Sequence, residues 1–227
     1  MPPLFTRINL GTLSYREAWQ QQEILHAQLV DEKSRSERSQ NFLLFVEHPH
    51  VYTLGKNGHE ANLLADALQL QSMQAELVKT NRGGDITYHG PGQLVAYPIL
   101  RLDQLGIGVK QYVERLEEVV IRTVAAYGLH ATRLPQAAGV WLDPHSPRAR
   151  KLCAIGVRCS HAVTMHGFAL NVNTDLRCFA LINPCGFTDK GVTSLANELG
   201  RGLSMDEVRA IVCEKFEEVF GAAISST

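Results

Sequence analysis

The stretch that most constrains this chain is Arg82-Gly83-Gly84-Asp85-Ile86-Thr87-Tyr88-His89-Gly90-Pro91-Gly92-Gln93, which runs directly into the apolar segment Leu94–Leu100. Glycine admits positive φ and lets a backbone approach another group closely, so a cluster of this kind suits a tight connection between strands or the lining of a ligand cavity. The residues alone leave both readings open. They do exclude two nucleotide cradles. No Gly-Lys-Ser/Thr closes the run and no helical pattern follows it, so it is not a phosphate loop. Val95 stands where a dinucleotide fingerprint needs its third glycine, and a strand follows instead of a helix.

The surrounding pattern mixes strands and helices. Leu4–Leu10, Phe42–Glu47, Val51–Leu54, Ala75–Lys79, Gly139–Leu142, Lys151–Cys159 and Gly167–Val172 read as strands. Ser14 and Glu17 form a capping box for a first helix with Ala18, Leu25 and Leu29 on one face, fading into an exposed loop over Asp31–Asn41. Asn62 is the expected cap of a short helix through Leu70. After Gly108 the apolar positions Tyr112, Val113, Leu116, Val119, Val120 and Val124 keep the helical period, with Gly128 as the stop. Ser204 and Glu207 cap a last helix carrying Val208, Val212, Phe216 and Phe220. Asp143–Arg150 is a loop, and a turn is expected near Ser160–His161. Without strict alternation of strand and helix, the expectation is an α/β (α+β) fold with a mixed sheet and flanking helices. No linker or repeat divides residues 1–227, so one domain is expected.

A formal charge of −1 and a pI near 6.8 give no electrostatic footprint for nucleic acid. No apolar run of about 18 residues predicts a membrane span, and the N-terminus has no signal-peptide pattern. Five cysteines, an odd number without Cys-x-x-Cys spacing, argue for reduced thiols and a cytoplasmic protein. His48, His50 and His59 lack the carboxylate or cysteine that would complete a metal set, and read as turn and strand-end histidines; no metal and no cofactor are expected.

Among the cysteines, Cys178 and Cys213 read as small buried apolar groups. Cys153 and Cys159 share one side of their strand, where apolar neighbours would keep them inert. Cys185 stands in Asn183-Pro184-Cys185-Gly186, a turn able to present a thiol at a cavity mouth; a structural cysteine at a strand end is the alternative. Lys151 opens an otherwise apolar strand, either snorkelling from its end or supplying the cation a thiolate needs. By strand parity it falls on the same side as Cys153, so residue spacing leaves open which thiol it meets.

Three separated blocks resolve these alternatives by resemblance. Arg82–Pro98, Lys151-Leu152-Cys153-Ala154-Ile155-Gly156, and His166–Leu176 with Ile182–Gly186 are similar, in order and spacing, to the signatures of the lipoyl(octanoyl) transferases. These enzymes move an octanoyl group from acyl carrier protein to a lysine of lipoyl domains. The resemblance implies the fold of the biotin and lipoate protein ligases. It implies Cys185 as the residue carrying the acyl thioester and Lys151 as the lysine that lowers its pKa. The acyl-binding segments would be Arg82, Gly83, Gly84, Asp85, Ile86, Thr87, Tyr88 and His89; Ala154, Ile155 and Gly156; and Gly167, Phe168 and Ala169. Tyr88 and His89 would stand at the polar end of a slot, with oxyanion donors near Gly167. Implied partners are octanoyl-acyl carrier protein as donor, and as acceptors the apo lipoyl domains of 2-oxoacid dehydrogenases and the glycine-cleavage H protein. An ATP-dependent lipoate or biotin ligase would need no cysteine at position 185, and a cysteine thioesterase would differ only in using water as acceptor.

Overall fold

The computed structural model describes residues 4–183 and 190–226. Its main sheet is mixed, with strands β1 (Leu4–Thr12), β2 (Asn41–Glu47), β6 (Gln93–Ile99), β7 (Thr132–Leu134), β8 (Ala137–Leu142), β9 (Arg150–Ser160), β10 (Val163–Asn171), β11 (Gly191–Val192) and β12 (Ala223–Ser226). Their spatial order is β12-β1-β2-β6-β10-β9-β8-β7, and β11 adds beside β9. A second sheet orders β4 (Glu76–Lys79), β3 (Val51–Leu54) and β5 (Ile86–His89).

Alternation along the central strands divides the molecule into two layers of core. On β2, Leu43 and Phe45 face one side while Phe42, Leu44 and Val46 face the other. The first side is covered by α4 (Val109–Ala125) and α6 (Met205–Phe220), the second by α1 (Tyr15–Ser34). α4 forms because its apolar residues recur at helical spacing, burying Tyr112, Leu116, Val119, Val120 and Val124. Each such side chain contributes about 1.5–3 kcal/mol by burial, and truncating Leu116 to alanine would cost about 2–5 kcal/mol. The capping boxes at Ser14 and the Ser204 cap close the N-termini of α1 and α6, and Gly221 ends α6 in the left-handed conformation.

Four local expectations are corrected. α1 does not fade at Asp31 but runs to Ser34, its last turn held by Arg35 on Asp31 at 3.1 Å and by Lys33 Nζ donating to the His161 carbonyl at 2.8 Å. Asn62 caps no helix: it ends a 3₁₀ turn, and the following helix, α2 (Ala67–Ser72), is capped by Asp66 with Gln69. β10 begins at Val163, four residues early, and passes through His166 at φ +58°. Finally, β8 and β9 shift register between Val140 (opposite Cys153) and Trp141 (opposite Lys151), a β-bulge that breaks the expected parity of Lys151 with Cys153.

Candidate active site

Between the α1 side of the main sheet and the three-stranded sheet lies a cavity of about 400 Å³, toward the small end of the roughly 300–1,000 Å³ typical of small-molecule sites. The bulge decides what faces it. Leu152 and Cys153 both enter the core under α4, while Lys151, Ala154 and Gly156 line the cavity. Burial pushes the Cys153 thiol far up, as befits an inert core thiol.

The glycine-rich stretch lies across β9 as one wall. The Gly83 N–H donates to the Val157 carbonyl at 2.9 Å. A Cβ on Gly156 would stand 2.9 Å from the Gly83 oxygen, so this close crossing needs glycine there. Arg82 holds the stretch together. Its buried guanidinium donates to the Thr53 carbonyl at 2.6 Å, the Asp85 carbonyl at 2.8 Å and the Gly83 carbonyl at 2.9 Å. Asp85 accepts from the Ile86 N–H at 2.7 Å and from the Asn62 amide at 2.6 Å.

A buried polar group flanks the cavity behind this wall. Tyr97 donates to His48 Nε2 at 2.8 Å, and His48 Nδ1–H donates to the Leu13 carbonyl at 2.7 Å. Tyr15 donates to His166 Nδ1 at 3.4 Å, while His166 Nε2–H donates to Asn81 Oδ1 at 2.7 Å. His89 Nδ1–H donates to Gln93 Oε1 at 2.7 Å, and Gln93 in turn donates to Asn171 at 2.9 Å. Burial holds all three imidazoles neutral: His48 is lowered to about 4, and His166 to about 3 with help from Arg82 and Arg158. His89 is lowered well below the ordinary imidazole value by burial, then by His48 and Arg82. Burial pushes Tyr15 up to about 12 despite Arg82.

At the opposite end, Lys151 carries its ammonium over the Trp141 ring, 4.7 Å from the centroid. Trp141 is itself fixed by its indole N–H, which donates to the Ala137 carbonyl at 3.0 Å. Strand β11 pairs Gly191 with Arg150 and Val192 with Lys151, and the Thr193 N–H donates to the Lys151 carbonyl at 2.9 Å. Arg150 clamps this corner by two 2.6 Å bonds to Glu198.

Of the residues the sequence singled out, Arg82, Gly84, Asp85, Ile86, Thr87, His89, Lys151, Ala154, Ile155, Gly156, Gly167, Phe168 and Ala169 line this one cavity. Gly83 contributes through its bond to Val157 rather than by lining. The Tyr88 side chain turns the other way, packing against Tyr52 and Phe179 with its hydroxyl 2.6 Å from His50 Nδ1; it is not at the polar end of the slot, because alternation along β5 sends it to the opposite face from Thr87 and His89. Nor is His89 at that end: its ring stacks on Tyr15, away from Lys151. Cys185 lies outside the described residues. The chain just before it is tied by the Asn183 N–H to the Asn62 carbonyl at 2.8 Å, and just after it Lys190, Gly191 and Val192 line the cavity. His48 is a structural histidine after β2, and among the described residues no three His, Cys, Asp or Glu side chains converge as a metal set. Tyr15, Tyr97, Trp141 and His166 were not anticipated. Tyr97 and His166 had a signal, Tyr97 at the end of the block Arg82–Pro98 and His166 directly before Gly167 in the third block.

This architecture defines a class. The model of the lipoyl protein ligase A/B catalytic domain matches residues 14–217, and the chain belongs to that family. A bi-partite lipoate protein ligase from Thermoplasma acidophilum shares the fold, with a TM-score of 0.72 at 16% identity over 100% of this chain and 87% of that one. Sequence relatives are more particular. An octanoyltransferase of Bacteroides thetaiotaomicron is 56% identical over 91% of this chain and 92% of its own length. One of Bacteroides fragilis is 58% identical over 87% and 89%. Among the described residues no helix is long and apolar enough to cross a membrane.

Proposed function

We propose that this chain is an octanoyltransferase that works through an acyl-thioester on Cys185, as a single catalytic domain in the cytoplasm. Octanoyl-acyl carrier protein is the donor. The acceptors are lipoyl domains, those of 2-oxoacid dehydrogenases and the glycine-cleavage H protein. The observation that carries this reading is a narrow, largely apolar cavity with the Lys151 ammonium at one end, beside the segment 190–192 that follows Cys185 by five residues.

In the first half-reaction the Cys185 thiolate attacks the donor thioester carbonyl and the carrier-protein thiolate departs, leaving the octanoyl group on Cys185. The Lys151 cation favours the thiolate by opposite charge. In the second half the acceptor lysine attacks as a neutral amine, an amide forms, and the Cys185 thiolate is released. Lys151, left neutral once it has given its proton to the departing carrier-protein thiolate, takes the proton that the amine loses and returns to the ammonium. The apolar walls at Val95, Ala154 and Ala169 hold the straight chain.

Intact mass tests this directly. Incubation with octanoyl-acyl carrier protein should add one octanoyl mass to the wild type and none to Cys185→Ala, and an apo lipoyl domain should then remove it and gain it. Acylation that survives in Cys185→Ala but vanishes in Cys153→Ala would overturn the assignment. Transfer that needs ATP with free octanoate, or stops with EDTA, would replace it with a ligase or a metal enzyme; release of octanoate without an acceptor would make it a thioesterase.

A further inference from the structure

Resting on that reading, we infer that Tyr15, Tyr97 and His166 form a rigid end wall that sets the length of acyl chain the enzyme accepts. The three central strands order the cavity's lining level by level. Lys151 stands at one end; Ala154 faces Ala169, which faces Val95, in the middle; Gly156, His166 and Tyr97 stand at the other end. Beyond Gly156 the cavity closes, because Gly83 is hydrogen-bonded to Val157 and the Arg82 side chain covers the Gly156 Cα.

From Lys151 to Gly156 are five residues, but the bulge at Leu152 takes up one of them, so the span is four strand steps, about 13 Å at roughly 3.3 Å per strand residue. An extended octanoyl chain measures about 9 Å from carbonyl carbon to methyl, seven bonds of about 1.5 Å in zigzag. The remainder is taken up by the thioester and by the van der Waals thickness of the wall. A dodecanoyl chain adds four methylenes, about 5 Å by the same measure, and meets the wall.

The wall does not yield, because its rings are tied from behind. Tyr97 bonds to His48, which bonds to Leu13; Tyr15 bonds to His166, which bonds to Asn81. The His166 N–H also donates to Gln22 on α1 at 2.8 Å. His166 is at φ +58°, a conformation that costs a side-chain-bearing residue energy and is kept where the surroundings fix it. The strain aims its ring at the cavity.

The test is single-turnover acylation read by intact mass, with hexanoyl-, octanoyl-, decanoyl- and dodecanoyl-acyl carrier protein. The wild type should take dodecanoyl at least tenfold more slowly than octanoyl, within the range by which pockets reject extra methylenes. His166→Gly removes the ring at a φ that glycine tolerates, and should raise the dodecanoyl-to-octanoyl rate ratio at least tenfold. Ala169→Leu, halfway along the slot, should shift the preference to hexanoyl. The inference falls if the wild type accepts dodecanoyl within about twofold of octanoyl, or if folded His166→Gly keeps the wild-type profile. Should His166→Gly not fold, the wild-type series and Ala169→Leu decide: no cut-off, or no shift to hexanoyl, sinks it. Absence of acylation by every chain length would instead refute the octanoyltransferase reading itself.

Discussion

At the Tyr97 end of the cavity the rings of Tyr15, Tyr97 and His166 are buried, neutral and tied by hydrogen bonds to one another, to His48 and to Asn81, while the His166 backbone N–H donates to Gln22. At the Lys151 end a half-buried ammonium rests over an indole at the start of a strand, beside the two-residue strand Gly191–Val192, which follows Cys185 by six residues in the chain. The contrast separates two tasks. A fixed neutral wall can measure a ligand but cannot move a proton near neutral pH, since its histidines stay unprotonated there. The ammonium can exchange a proton but measures nothing. A single strand, β9, supplies both ends, and the bulge at its start keeps them on one face.

Breaking the chemical end should have the largest effect. Lys151→Met keeps the apolar stem and deletes the charge. A close opposite charge lowers a partner's pKa by about 1–3 units, so acylation of Cys185 near pH 7 should slow about tenfold to a hundredfold and recover partly in alkaline buffer. Lys151→Arg keeps the charge but does not deprotonate in this range; it should still form acyl-enzyme while failing to transfer to the lipoyl domain. Thiolate absorbance against pH, beside single-turnover acylation, measures both. A Lys151→Met thiol that titrates like the wild type would show that the lysine has no part in activating it.

The measuring end should appear in stability. A histidine whose folded pKa is depressed takes up its proton more readily when unfolded, so its contribution is complete above the unfolded value of about 6.5. It is lost as pH falls toward the folded value, about 4 for His48 and about 3 for His166. The slope is about 1.4 kcal/mol per pH unit for each histidine. From pH 7 to pH 5 each should therefore cost about 2 kcal/mol, read as a falling urea midpoint. Equal midpoints at the two pH values would mean that these imidazoles are not held neutral.

The sequence carried the fold class, most strands, and the segments that line the cavity, because glycine spacing and three ordered blocks leave local signatures. It did not carry the side on which Lys151 lies. Alternation assigns it to the face of Cys153, and only the register shift against Val140 and Trp141, set by pairing with another strand, moves it to the cavity. Tyr15 was silent for a related reason. Its helix position reads as core, and its place against His166, 151 residues away, exists only once α1 packs on β10. The positive φ of His166 likewise has no clear signature, since glycine is the residue that marks such a conformation in a sequence. What was legible was local; what was missed depends on contacts between distant segments.

The smallest effect concerns Tyr88, which sits inside the glycine-rich block yet points its ring away from the cavity. Its hydroxyl is 2.6 Å from His50 Nδ1, and its ring packs against Tyr52 and Phe179. Tyr88→Phe keeps this packing and deletes one hydrogen bond, worth about 1 kcal/mol. His50 is only partly buried and can bond to water instead, which limits the penalty for the partner left behind. The variant should lose about that much stability in a urea titration while its octanoyl transfer stays within about twofold of wild type. The same hydroxyl deletion cannot be neutral in the slot if Tyr88 touches the acyl group or the thioester. A variant of unchanged stability whose acylation falls tenfold would therefore return Tyr88 to the site and move the polar end of the slot from Lys151 to the β5 side of the cavity.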